Sequence, residues 1–166
     1  MTNRQWCLAS RPQGRVSESD LEWREEPAAE PQKGEIRVRN IYLSLDPTNR
    51  AWMNAADSYL PMLPIGAVMR GITLGVVDGS ENPDFSSGDL VQGMGGFQEY
   101  YTGEAVTFSK LPRIPGLPLT AYLGAMGHIG FTAYFGLLDI GQPNKGKTRV
   151  VSAPAGPVCS RVGHTG

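Results

Sequence analysis

Apolar positions in this chain come in short alternating runs that glycine and proline repeatedly interrupt. Residues 3–9 (NRQWCLA) predict a first strand, with a loop at RPQG behind it. Residues 20–26 (DLEWREE) alternate weakly, with Leu21 and Trp23 on one face, and Pro27 and Pro31 end the segment. The clearest strand is 35–45, where Ile36 and Val38 alternate with Arg37 and Arg39 before the pattern turns continuously apolar. Asp46-Pro47 reads as a helix cap followed by proline at the first helical position, opening a short helix through Trp52 and Met53. Residues 66–77 predict a glycine-punctuated strand closed by a turn at Asp78-Gly79. A strand LVQGM follows Ser87-Gly88-Asp89, and another begins at Gln98 and runs to Phe108.

Many short strands with little helix predict a closed or nearly closed β-barrel over 1–120, with one or two short helical turns, one of them after Asp46. After Pro118 the period changes. Leu123, Met126, Gly127, Gly130, Phe131, Tyr134 and Leu138 recur at three- and four-residue spacing, which predicts one helix ended by Gly141. Residues 147–152 (KTRVVS) predict a buried strand leading into a Gly/Ala turn. A helix, a buried strand and such a turn are how a nucleotide-binding α/β domain opens, so 121–166 is assigned to the truncated start of one. The fold class expected is mainly β, a barrel followed by that start.

Composition narrows the function. Lys+Arg of 15 against Asp+Glu of 16 leaves a net charge of -1, without the basic surplus that nucleic acid binding wants. The 21 glycines and 13 prolines form no repeat, so collagen-like and low-complexity readings fail. Cys7, Cys159, His128 and His164 offer no ligand spacing for a structural zinc, and no bound metal is expected. Residues 114–138 carry no formal charge, but glycine and proline break the run and no basic cluster flanks it. A buried helix is expected there and no membrane partner. The first 20 residues lack the apolar core of a signal peptide, so a cytoplasmic location is expected.

Four ordered stretches carry a family resemblance: Tyr42-Leu-Ser-Leu-Asp-Pro-Thr-Asn-Arg50, Ala67-Val-Met-Arg-Gly71, Gly96-Phe-Gln-Glu-Tyr100 and Gly130-Phe-Thr-Ala-Tyr-Phe-Gly-Leu-Leu-Asp-Ile-Gly141. Over nearly all of 3–158 the chain resembles the zinc-independent medium-chain dehydrogenase/reductases, in the branch of the NADP-dependent 2-alkenal, prostaglandin and curcumin double-bond reductases. The resemblance implies a GroES-like barrel, then a Rossmann domain, with the active site in the cleft between them. It implies reduction of a carbon–carbon double bond conjugated to a carbonyl, with hydride taken from NADPH, a small enone or enal as substrate, and a homodimer.

Departures from the family pattern mark the sites. Its Asp-Pro-Tyr-Met-Arg motif stands here as Asp46-Pro-Thr-Asn-Arg50, so Thr48 takes the place of a tyrosine near the substrate. His128 replaces a methionine that would touch the cofactor, while Thr132 keeps the family's threonine. The dinucleotide turn, usually close to AAGAVG, reads Pro154-Ala-Gly-Pro-Val-Cys159. Pro157 removes an N–H that could face a pyrophosphate, Cys159 stands where glycine permits close helix–strand packing, and Arg161 replaces an apolar residue.

On this resemblance the cofactor would be held by Pro47, Asn49, Arg50, His128, Thr132, Ala155, Gly156 and Val158, and the substrate by Thr48 and Met69. Catalytic groups are left unassigned. For Arg50, steering of cofactor phosphates or the substrate carbonyl stands beside an ion pair near Asp46. For His128, a nicotinamide contact or acid role stands beside packing. Met69 reads equally as a cleft edge or as core filling. Tyr100, Tyr122 and Tyr134 read as packing aromatics, and Cys7 as a small buried hydrophobe. The function expected is an NADP-dependent oxidoreductase whose 166-residue chain is inactive alone. The alternative is a non-catalytic GroES-like module that binds or self-associates, or a truncated gene product.

Overall fold

Strand β4, Thr73–Ser80, is the middle strand of a five-stranded antiparallel sheet ordered β6-β3-β4-β5-β7. Its partners are β3 (Glu35–Leu43), β5 (Leu90–Gly93), β6 (Tyr100–Glu104) and β7 (Phe108–Lys110). A hairpin of β1 (Thr2–Leu8) and β2 (Leu21–Pro27) forms the second sheet. These coordinates come from a computed structural model describing residues 1–55, 60–144, 146, 148, 150–152 and 156–164, with backbone alone at 157, 163 and 164. The chain divides into two units, Met1–Arg113 and Ile114–Gly166.

Consecutive strands β6 and β7 lie at opposite edges of the five-stranded sheet, joined only by a 3-10 turn at Ala105–Thr107. From Glu104 to Phe108 the backbone reaches about 14 Å at most, short of the roughly 19 Å across a flat five-stranded sheet. The sheet must therefore curl until its edges approach, which is the barrel geometry. Strand β1 joins the wall through backbone bonds from Trp6 N–H to the Phe97 carbonyl at 2.8 Å and Leu8 N–H to the Ala67 carbonyl at 2.9 Å. Two apolar clusters fill the unit. Ile36, Val38, Val77, Val91, Ala105 and Phe108 form one; Leu8, Trp52, Met53, Leu63 and Met69 form the other.

The mainly β class holds, with local departures. Asp78-Gly79 is not a turn but part of β4. There Arg37 pairs with Gly79 and Val38 with Val77, leaving Asp78 as the extra residue of a β-bulge. The bulge aims the Asp78 carboxylate at Arg37, whose Nε donates to it at 3.0 Å while Nη1 reaches Glu30 at 2.8 Å. Burial opposes the Arg37 charge, and the two carboxylates outweigh it, holding the guanidinium above its ordinary value. The run 98–108 is broken by the turn at 105–107. Short helical segments are also more numerous than expected: Glu18–Asp20, α1 (Pro47–Trp52), Ala105–Thr107 and, beginning just inside residue 120, Leu119–Tyr122.

In the second unit the single helix expected over 123–138 is shorter and interrupted. Helix α2 spans His128–Tyr134 and passes directly into a π-helical turn, Phe135–Ile140, which Gly141 ends. The delay has a steric cause. The backbone turns tightly before α2, and Gly130 lies so close to the Ala125 carbonyl oxygen that a β-carbon there would overlap it. Ile129 and Ala133 point inward and are buried, with Tyr122 and Leu123. Helix α3, Pro157–His164, packs against α2. Of the buried strand expected over 147–152, Lys147 and Arg149 lie outside the described residues. Thr148, Val150, Val151 and Ser152 belong to no strand, and Val150 is 94% exposed. A central strand is stable only between hydrogen-bonded neighbours, and none pairs with these residues here.

Candidate functional site

The first group of candidates sits on α1. Asp46 caps the helix and Pro47 occupies its first position, as the sequence predicts. Asn49 is buried and ties three elements together. Its Oδ1 accepts the Asp46 N–H at 2.6 Å, and its Nδ2 donates to the Arg70 carbonyl at 3.1 Å. Ser44 Oγ donates to the Asp46 carboxylate at 2.7 Å. Thr48 is half-buried and Pro47 exposed.

Arg50 takes up a role that neither reading foresaw. Its Nε and Nη2 donate to the Gly14 carbonyl at 3.0 and 2.9 Å, Nη2 also reaches the Pro12 carbonyl at 2.9 Å, and Nη1 reaches Asn54 Oδ1 at 2.6 Å. The guanidinium thus clamps the loop between β1 and β2. Arg11 acts reciprocally, donating to the carbonyls of Met53, Asn54 and Leu63. Nothing in the spacing of these arginines announces the clamp, because their acceptors are backbone carbonyls. Met69, expected at a cleft edge, has no accessible surface and packs in the cluster with Leu8 and Trp52. Its position in this unit is that of a core residue.

Asp20 anchors the same loop. Ser10 Oγ donates to its carboxylate at 2.6 Å, and the Ser17 N–H and Oγ each donate at 2.8 Å. These donors, the Ser10 hydroxyl first, hold the carboxyl below its ordinary value. The unfolded carboxyl titrates near about 3.9. Asp20 therefore contributes fully above that pH, and its contribution is lost as pH falls through the lowered folded value. Urea midpoints of the wild-type chain and Asp20→Asn should accordingly converge on acidification from neutral pH to about 2. A constant difference across that range would show that the ionised carboxylate is not the stabilising form.

The second group lies in the Ile114–Gly166 unit. His128 is exposed at the first position of α2, where packing would have buried it. Thr132 is exposed, and its hydroxyl donates to the His128 carbonyl at 2.7 Å. The Gly156 carbonyl accepts the Ser160 N–H at 2.8 Å, so Gly156 immediately precedes α3, with Pro157 opening that helix. Val158 is half-buried in the first turn of α3, and Ala155 lies outside the described residues. The start of α3 offers the backbone N–H groups of Val158 and Cys159 to an anion, while Pro157 has none. That donor set fits a pyrophosphate, with one donor fewer than a glycine or alanine would leave. No group of three or more His, Cys, Asp or Glu side chains placed to hold a metal occurs among the described residues. None of the described helices is long and apolar enough to cross a membrane.

Sequence reasoning also passed over a groove of about 440 Å³ beside α2, lined by Phe131, Tyr134, Phe135 and Arg161 among others. Its signal was present, since these aromatics belong to the three- and four-residue stripe taken for a buried face.

Comparison with known proteins assigns the family. Residues 4–111 match a family model described as the N-terminal domain of oxidoreductase. The NADPH-dependent curcumin reductase of Escherichia coli is 45% identical over 164 residues, covering 99% of this chain and 47% of that protein. A 2-alkenal reductase (NADP(+)-dependent) from Nicotiana tabacum is 34% identical over 168 residues, 98% of this chain and 49% of its own length. Among solved structures, CurA from Vibrio vulnificus in complex with NADPH aligns with a TM-score of 0.88 at 40% identity, covering 98% of this chain and 48% of that one. The chain spans about half the length of the curated relatives it matches. It belongs to the medium-chain dehydrogenase/reductase family, in the branch of the curcumin, 2-alkenal and prostaglandin reductases.

Proposed function

We propose that these residues form the N-terminal half of an NADP-dependent reductase that saturates the carbon–carbon double bond of small α,β-unsaturated aldehydes or ketones. The observation that carries this reading is the alignment, over 98% of the chain, with a relative solved in complex with NADPH. The coenzyme, when bound, supplies the hydride. The chain's own part is to bind and orient. Gly156 and the first turn of α3 would receive the pyrophosphate, and Thr132 and His128 would flank the coenzyme from α2. Thr48, half-buried on α1, would meet the substrate with a hydroxyl where relatives of this type place a tyrosine. Exclusion of water and a fixed approach would do the rest, since orientation supplies about 7–11 kcal/mol of barrier reduction.

A chimera tests this reading: residues 1–166 replace the matching part of the E. coli curcumin reductase. Reduction of an α,β-unsaturated ketone with NADPH is expected. A folded chimera without turnover would overturn the assignment. The 166-residue chain alone is expected to turn over negligibly, because it would leave the coenzyme too poorly held for orientation to help. A rate within the usual enzymic range of about 1–1000 per second would contradict that.

A second reading is a non-catalytic module that pairs with itself. The exposed aromatic face of α2 favours it.

A further inference from the structure

The apolar stripe of α2 faces outward. Phe131, Tyr134 and Phe135 are 57%, 55% and 54% exposed, and Leu138 and Ile140 continue the surface along the π-helical turn. The rings already touch one another, Phe131 to Phe135 at 6.5 Å and Tyr134 to Phe135 at 5.3 Å between centroids. The groove they line is open. A few residues on, Val150 and Val151 stand outside any strand. An uncovered helical face and an unpaired β-branched segment so close in sequence share one remedy. A sheet supplies both a layer for the helix and a neighbour for the strand.

We infer that this face is a docking surface for a second polypeptide that carries the remaining strands of an α/β sheet, so that the reductase assembles from two separately made halves. The inference rests on the proposed function for the identity of that partner. Three observations select it. Relatives that match this chain along almost its whole length are about twice as long, so each holds a further half that could cover the face. A lone amphipathic helix would cover the aromatics but leave the Val150 segment unpaired. A second copy is opposed by charge, because residues 114–166 contain Lys145, Lys147, Arg149 and Arg161 against Asp139 alone. Self-docking would bring two positive surfaces together.

The test co-expresses the 166-residue chain with the part of E. coli curcumin reductase beyond its match to this chain. Capture through a tag is followed by mass measurement by light scattering. A 1:1 complex is expected, weakened at least tenfold by Phe131→Asp with Phe135→Asp, two exposed positions whose substitution leaves the circular dichroism of the chain unchanged. Absence of a complex overturns the inference. So does a complex indifferent to the double substitution, or a homodimer of the chain alone that the same substitutions dissolve. A complex that forms without oxidising NADPH counts against the proposed function and leaves the docking surface standing. An active chimera with no complex between separate halves counts against the docking surface alone.

Discussion

Met69→Ala is expected to lower the stability of the first unit by about 2–5 kcal/mol. The side chain has no accessible surface and meets Leu8, Trp52, Met53 and Leu63 in one cluster. Truncation removes its transfer free energy and leaves a cavity that the β1 backbone cannot easily collapse. Both neighbouring backbone bonds are already made: Met69 N–H to the Trp6 carbonyl and Phe97 N–H to the Met69 carbonyl, each at 2.8 Å. Met69→Leu conserves volume and should cost less than about 1.5 kcal/mol. The measurement is a urea titration followed by tryptophan emission, with the slope unchanged and the midpoint lowered. All three tryptophans, Trp6, Trp23 and Trp52, lie in the Met1–Arg113 unit, so the signal reports that unit. A loss below about 0.5 kcal/mol, the range of a surface substitution, would return Met69 to the edge of a substrate site.

Gly130→Ala should destabilise the second unit by about 1–3 kcal/mol, against the trend of helix propensity. In an exposed helix the same change would gain about 1 kcal/mol. Here the added methyl would overlap the Ala125 carbonyl oxygen, and the obstacle is backbone rather than the free end of a side chain. The Gly130 N–H also donates to the Gly124 carbonyl at 3.1 Å, so retreat of the helix would break a bond as it relieves the contact. Amide exchange across α2 reads the effect without interference from the tryptophan-bearing unit. Slower exchange in the variant would show that the turn yields freely and that propensity decides.

Strands were legible where one face is buried, because period-two alternation at Ile36 and Val38 reports that burial directly. The cap at Asp46-Pro47 was legible for a local reason, since its chemistry lies within four residues. Asp78-Gly79 misled because a dipeptide suited to tight turns also suits a bulge, and a distant partner, Arg37, decides between them. The break at Ala105–Thr107 is set by the need to cross from one sheet edge to the other, which no local pattern encodes. In the second unit the stripe through Phe131 and Tyr134 is amphipathic as read, but periodicity states that a face is apolar and not what covers it. The candidates divided likewise. Asn49 and Arg50 were singled out by motif, yet their printed bonds run to backbone and to Asn54, contacts that depend on how distant loops return.

Strand β2 pairs with β1 on one side, and no described strand pairs with its other side. Seven residues of unpaired backbone would serve as a template for another chain's strand, the first step of sheet-mediated aggregation. What stands on that edge discourages it. Glu22, Glu25 and Glu26 are exposed, and Pro27 closes the strand with a residue that has no N–H to offer. Two copies meeting edge to edge would each bring three carboxylates to the seam. The acidic run that looked in the sequence like an ordinary solvated face thus acts as a gatekeeper, keeping the rim of the hairpin from recruiting its own kind.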